Sequence, residues 1–132
     1  MRREQKVRLL PTPPRVLIVA DVRLYREGIH ASLSSLPQFS VIGAAATVEE
    51  ALNIATNAPP DIVIVDMATR QSLTVVRRIP QLFPDAHIVG FGVDEVEGEV
   101  LACAEGGLAG YIPCEASLDV LVMRVVGVCR GG

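Results

Sequence analysis

Apolar runs alternate with amphipathic stretches along almost the whole chain, and polar or helix-breaking residues bound each of them. RVLIVAD (Arg15–Asp21) is a continuous apolar run closed by an acid, the pattern of a strand buried on both faces of a parallel sheet. FSVIGAA (Phe39–Ala45) reads as a second strand. DIVIVD (Asp61–Asp66) reads as a third, again ending in an acid. His87–Val93 is the fourth and Ala109–Ile112 a short fifth.

Between these runs the period changes from two to nearly four. Tyr25, Ile29, Leu33 and Leu36 recur at gaps of four, four and three, which predicts a helix with one buried face, ended by Pro37. Thr47-Val-Glu-Glu50 has the form of a capping box, and Val48, Ala51, Leu52 and Ala55 form the stripe of the helix it opens. Asn57 to Pro60 stop that helix. A short helix is expected from about Ser72 to Ile79, with Pro80 kinking or ending it because proline removes a donor and clashes with the preceding turn. Glu95–Glu105 carries Val96, Val100 and Cys103 at helical spacing and closes on Gly106-Gly107. Ser117 caps a last helix from Leu118 to about Cys129.

Five strands alternating with five helices predict a doubly wound α/β fold, a five-stranded parallel sheet covered on both faces. The 132 residues suffice for one such domain and not two. The expected division is a disordered extension over 1–14, charged and closed by Pro11, Pro13 and Pro14, followed by one domain over 15–130.

Charge and composition narrow the function. A net charge of −3, with basic residues scattered apart from Arg2, Arg3, Lys6 and Arg8, argues against nucleic-acid contact by this domain. No apolar run approaches the roughly 20 residues that cross a bilayer, and the N-terminus lacks the apolar core of a secretory signal. The three cysteines, Cys103, Cys114 and Cys129, show no C-x-x-C spacing, so free thiols in a cytoplasmic setting are expected.

In an open parallel sheet the site lies at the carboxyl ends of the strands, where strand order reverses. Asp21 and Asp66 both fall at such ends. In the order 2-1-3-4-5 their strands are neighbours, and two hard carboxylates there suit Mg²⁺, which binds through one or two carboxylates plus waters and phosphate. The same acids would also serve simply to cap exposed backbone. No nucleophile–base pair or glycine-rich phosphate loop marks an enzyme with a separate substrate.

Three blocks in order carry a family resemblance. RVLIVADVRLYREGI resembles the opening of response regulator receiver domains, especially those that precede a LuxR-type DNA-binding domain, where the family reads V-D-D-H-P-L-x-R-E-G-L. PPDIVIVDM resembles the phosphoacceptor strand, and EGGLAGYIPCEAS resembles the stretch EAGAxGYLLKDAS. The similarity covers Arg15 to about Arg130 and implies the flavodoxin-like receiver fold of two-component signalling. It also implies that Asp66 accepts a phosphoryl group from a histidine kinase, that Asp21 is one of two metal-binding acids, and that the Ala68 carbonyl is the main-chain metal ligand.

The departures from the family cluster in that pocket. Ala20 replaces the first acid of the pair, Gly92 the hydroxyl residue ending strand four, and Cys114 the lysine ending strand five. A thiol cannot neutralise charge on a transferring phosphoryl group as the lysine does. Tyr111 matches the aromatic switch residue but loses the hydroxyl it would answer to. The resemblance implies a loop after Asp66 about two residues shorter than the family's. The expected function is therefore an atypical receiver with impaired phosphorylation, weak Mg²⁺ binding and signalling by protein–protein contact. The alternative is a working phosphoacceptor. The chain stops at Arg130-Gly-Gly, where LuxR-type regulators pass into a linker and a helix-turn-helix, so a truncated regulator or a stand-alone receiver is expected.

On the last helix, Leu118, Leu121, Val122, Val125 and Cys129 have the spacing to pack on the sheet. Val120, Met123 and Val126 fall on other faces, and an apolar strip there predicts a homodimer contact or docking onto a missing DNA-binding effector domain.

Overall fold

The computed structural model describes residues 13–93, 108–113 and 116–129. Within them the elements run β1 (Arg15–Val19), α1 (Arg23–Ser34), β2 (Ser40–Ala45), α2 (Val48–Asn57), β3 (Ile62–Asp66), α3 (Ser72–Leu82), β4 (His87–Val93), β5 (Gly110–Pro113) and α4 (Leu118–Cys129). All strand pairs are parallel and the sheet order is β2-β1-β3-β4-β5, the expected 2-1-3-4-5. The helix expected over Glu95–Glu105 and the extension over residues 1–12 lie outside the described residues.

Strand parity splits the apolar runs between two cores. Leu17, Val19, Val63, Val65 and Ile88 pack with Ala51 and Ala55 of α2 and Val75, Val76 and Ile79 of α3. Val16, Ile18, Ile62, Ile64 and Val89 pack with Ile29 and Leu33 of α1 and Leu121 and Val125 of α4. A strand buried on both faces has no use for polar alternation, which explains the unbroken runs.

Three local expectations are corrected. The spacing puts Tyr25 on the buried face of α1, yet it is 53 % exposed; Ile29 and Leu33 are the buried residues of that helix. The third helix does not stop before Pro80 but continues to Leu82, and the Phe83 amide still donates to the Ile79 carbonyl at 2.7 Å. An interior proline costs roughly 3 kcal/mol through its lost bond and clash. Burial of Val75, Val76 and Ile79 holds the turn in place against that cost. At α2 the Thr47 hydroxyl accepts from the Glu50 amide at 3.2 Å, but Glu50 Oε1 reaches back to the Ala46 amide at 2.8 Å, one residue earlier than a standard box requires.

Candidate functional site

The two strand-end acids meet on the carboxyl edge of the sheet. β1 and β3 are adjacent and Val19 is paired with Val65, so one step on Ala20 stands level with Asp66 and Asp21 follows. Asp66 is 2 % exposed. Its Oδ1 accepts from the Ala68 amide at 3.0 Å, while Oδ2 is buried with no hydrogen-bond partner among the described residues. Burial pushes the Asp66 pKa above the usual carboxylate range; the Ala68 bond opposes the rise and the nearby Asp21 charge adds to it. Asp21 is exposed, and its carboxylate accepts from the Arg70 amide at 3.3 Å.

A polar lattice ties the two loops together. The Asp21 amide donates to Thr69 Oγ1 at 3.1 Å, and Thr69, itself buried, returns its own amide to the Asp66 carbonyl at 2.9 Å. Ser72 Oγ donates to the Met67 carbonyl at 2.9 Å. From α1, Arg26 Nη1 reaches the Ala20 carbonyl at 2.8 Å. The sequence reading missed Arg26, Thr69 and Ser72. Arg26 lies in the quoted R-E-G segment, and the two hydroxyls follow Asp66 within six residues, which was the signal available.

Each substituted position has a structural setting. Ala20, expected to stand in place of the first family acid, is completely buried. Gly92 has φ +79°, and a Cβ built there would stand 3.0 Å from Asp66 Oδ1. It sits where the β4–β5 register shifts between Phe91 and Val93. Tyr111 is half-buried and packs against the core beneath α2 and α3. Cys114 lies outside the described residues. Cys129 is half-buried, and burial raises its thiol pKa, with the Asp61 charge adding to the effect.

On α4 the buried face is Leu121, Val125 and Val128, so Val128 was missed and Leu118 is 44 % exposed. Val120 and Met123 are exposed as expected, at 42 % and 72 %. They flank a groove of about 300 Å³ with Ala109, Arg124, Gly127 and Val128. Val126 departs from the expectation: it is half-buried and packs on the core beneath α1 and α4, because it lies round the helix from Met123 towards Val122 and Cys129.

Comparison with known proteins bears on what this edge is for. The family model of the response regulator receiver domain matches residues 16–126. The chain is 32 % identical over 119 residues to the response regulator GacA of Pseudomonas viridiflava, covering 89 % of this chain and 56 % of the relative. It is 27 % identical over 119 residues to the transcriptional regulatory protein DegU of Brevibacillus brevis, covering 89 % and 50 %. The chain thus spans about half the length of the curated relatives it matches. Among solved structures, a LuxR-family two-component response regulator from Aurantimonas superposes with a TM-score of 0.79 at 25 % identity, covering 91 % of this chain and 87 % of the other. The isolated receiver domain of RcsB from Salmonella enterica matches in fold, with a TM-score of 0.77 at 17 % identity and 91 % of each chain covered. A match over so much of the chain, on this strand order, leaves one assignment: the chain belongs to the response regulator receiver domain family.

Proposed function

We propose that this chain is an atypical receiver, a signalling domain rather than an enzyme with its own substrate, whose phosphorylation is impaired and whose output runs through protein–protein contact. One observation carries the reading: Gly92, at the place of the family's switch hydroxyl, holds a left-handed backbone against Asp66 Oδ1. A hydroxyl residue there would meet both a backbone penalty and the carboxylate, so the position is built around glycine. The buried methyl of Ala20, and a cysteine at 114 where the family has a lysine, support the same reading.

A second reading, a working phosphoacceptor, is favoured by the unpartnered Oδ2 of Asp66 and by Asp21 on the same edge. The donor set fits Mg²⁺ at reduced charge: Asp21, Asp66 and the Ala68 carbonyl would hold the ion, with one acid fewer than the family uses. Bound there, the ion would neutralise charge on a phosphoryl oxygen. The residues themselves supply the Ala68 amide bond to Asp66 and, through the Thr69–Asp21 tie and the Arg70 amide on the Asp21 carboxylate, the orientation of the two loops.

The partners proposed are a histidine kinase acting on Asp66, and a second copy or a DNA-binding effector domain meeting α4 through Val120 and Met123. No helix among the described residues is long and apolar enough to cross a membrane, and a cytoplasmic setting is the proposed one. Labelling by a small phosphodonor with and without Mg²⁺, against Asp66→Asn, tests the reading. Little or slow labelling is expected, and rapid stoichiometric labelling at Asp66 would overturn it.

A further inference from the structure

Beside Asp66 the sheet edge opens into a cleft of about 450 Å³, inside the roughly 300–1,000 Å³ range of small-molecule sites. Leu24, Tyr25 and Ile29 of α1, Ile112 of β5, and Leu118 and Leu121 of α4 form its apolar walls. Leu24, Tyr25 and Leu118 are 77 %, 53 % and 44 % exposed. One exposed apolar side chain is ordinary, but three around a single opening form a patch of the kind that marks a binding surface. Asp66 also lines the cleft, and its Oδ2 is the one buried side-chain oxygen or nitrogen without a hydrogen-bond partner among the described residues. Buried acceptors are as a rule satisfied, so a lone one beside a cleft points to a donor still to come.

We propose that this cleft binds a small amphiphilic amine, its apolar body against Leu24, Tyr25, Ile29, Ile112 and Leu121 and its nitrogen donating to Asp66. The inference rests on the reading above in one respect, that a phosphoryl group is not the main business of Asp66. An anion would meet a carboxylate, and no basic side chain lines the cleft among the described residues. A purely apolar molecule would fill the walls and leave the oxygen unpaired. An N–H donor on an apolar body satisfies both, and charge-assisted bonds of that type are the stronger ones. Gly28 sits at the rim, where a Cβ would meet nothing within 4 Å, so a larger side chain there would enter open space without disturbing α1.

Hexylammonium, hexan-1-ol and hexanoate are the probes, each titrated into the ¹⁵N-labelled chain and followed by NMR. Hexylammonium is expected to give saturable shifts centred on the amides of Ala68, Gly92, Leu118 and Leu121, with an affinity about tenfold or more above hexanoate. Asp66→Asn should reduce hexylammonium to the level of hexan-1-ol, and Gly28→Leu should block all three probes. Should Gly28→Leu fail to fold, Leu24→Ser at the exposed mouth should weaken hexylammonium and hexan-1-ol alike. Non-saturable or scattered shifts, equal binding of hexanoate, or indifference to Asp66→Asn would overturn the proposal. Phosphoramidate labelling in parallel separates the two ideas. Rapid labelling at Asp66 defeats the impaired-pocket reading, whereas absent labelling together with absent hexylammonium binding defeats only the amine site.

Discussion

A Cβ on Gly92 would stand 3.0 Å from Oδ1 of Asp66, and the φ of +79° at Gly92 already excludes most side chains. The two residues are therefore coupled. A hydroxyl side chain at position 92 would be opposed by the carboxylate and the backbone together. Gly92→Ser is expected to destabilise the domain by about 1–2 kcal/mol, the usual cost of an L-residue in the left-handed region, without gaining phosphorylation. Urea denaturation alongside phosphodonor labelling checks both halves. A stable variant that labels faster than wild type would contradict the coupling.

Asp66 gives a pH prediction with a definite sign. Its pKa is raised in the folded state, chiefly by burial and further by Asp21, so the folded chain holds the proton more tightly than the unfolded one. Stability from this group is full below the ordinary carboxylate pKa, falls as pH rises through the raised folded value, and is flat above it. Asp66→Asn should remove that slope and stabilise the domain at neutral pH, because the amide has no charge to bury. Thermal melts from acid to neutral pH compare the two chains, and parallel curves would show that Asp66 carries no such penalty.

The Thr69 tie between the loops can be removed alone. Thr69→Val keeps the shape but takes away the acceptor for the Asp21 amide, at an expected cost of about 1 kcal/mol. Hydrogen exchange at Asp21 should quicken while the amides of Leu17 and Ile64, deep in the sheet, follow only the global loss. Unchanged exchange at Asp21 would mean that the Arg26 bond to the Ala20 carbonyl is enough to hold the loop.

What was legible in the sequence follows from how these interactions are written. The two central strands, β1 and β3, are buried along nearly their whole length and need unbroken apolar runs, which are visible without any knowledge of tertiary contacts. Acids at strand ends locate the site once the strand order is known. The sign of φ at Gly92 leaves no trace in a list of residues, nor does the partner of a hydroxyl such as Thr69. The continuation of α3 past Pro80 does not show in the sequence because local chemistry opposes it and burial of Val75, Val76 and Ile79 offsets the cost. Tyr25 was misplaced for the opposite reason: its spacing suits the core, but at the first turn of α1 it reaches the cleft instead.

The exposed face of α4 tests the protein–protein half of the reading. Val120 and Met123 stand beside one another at 42 % and 72 % exposure, along a groove above the edge strand β5. Met123→Glu changes a surface side chain, so its effect on folding should stay within about 0.5 kcal/mol. Val126 is not a useful probe, because it packs against the core and a glutamate there would unfold the helix from the sheet. Since the pocket around Asp66 is read as impaired, any self-association through this face should be independent of a phosphodonor. Sedimentation of wild type, with and without phosphodonor, is expected to show the same concentration-dependent dimer, and Met123→Glu a monomer whose melting curve matches that of dilute wild type. A wild-type monomer at high concentration would remove the second copy as occupant and leave an effector domain. A dimer that survives Met123→Glu would place the contact elsewhere on the molecule.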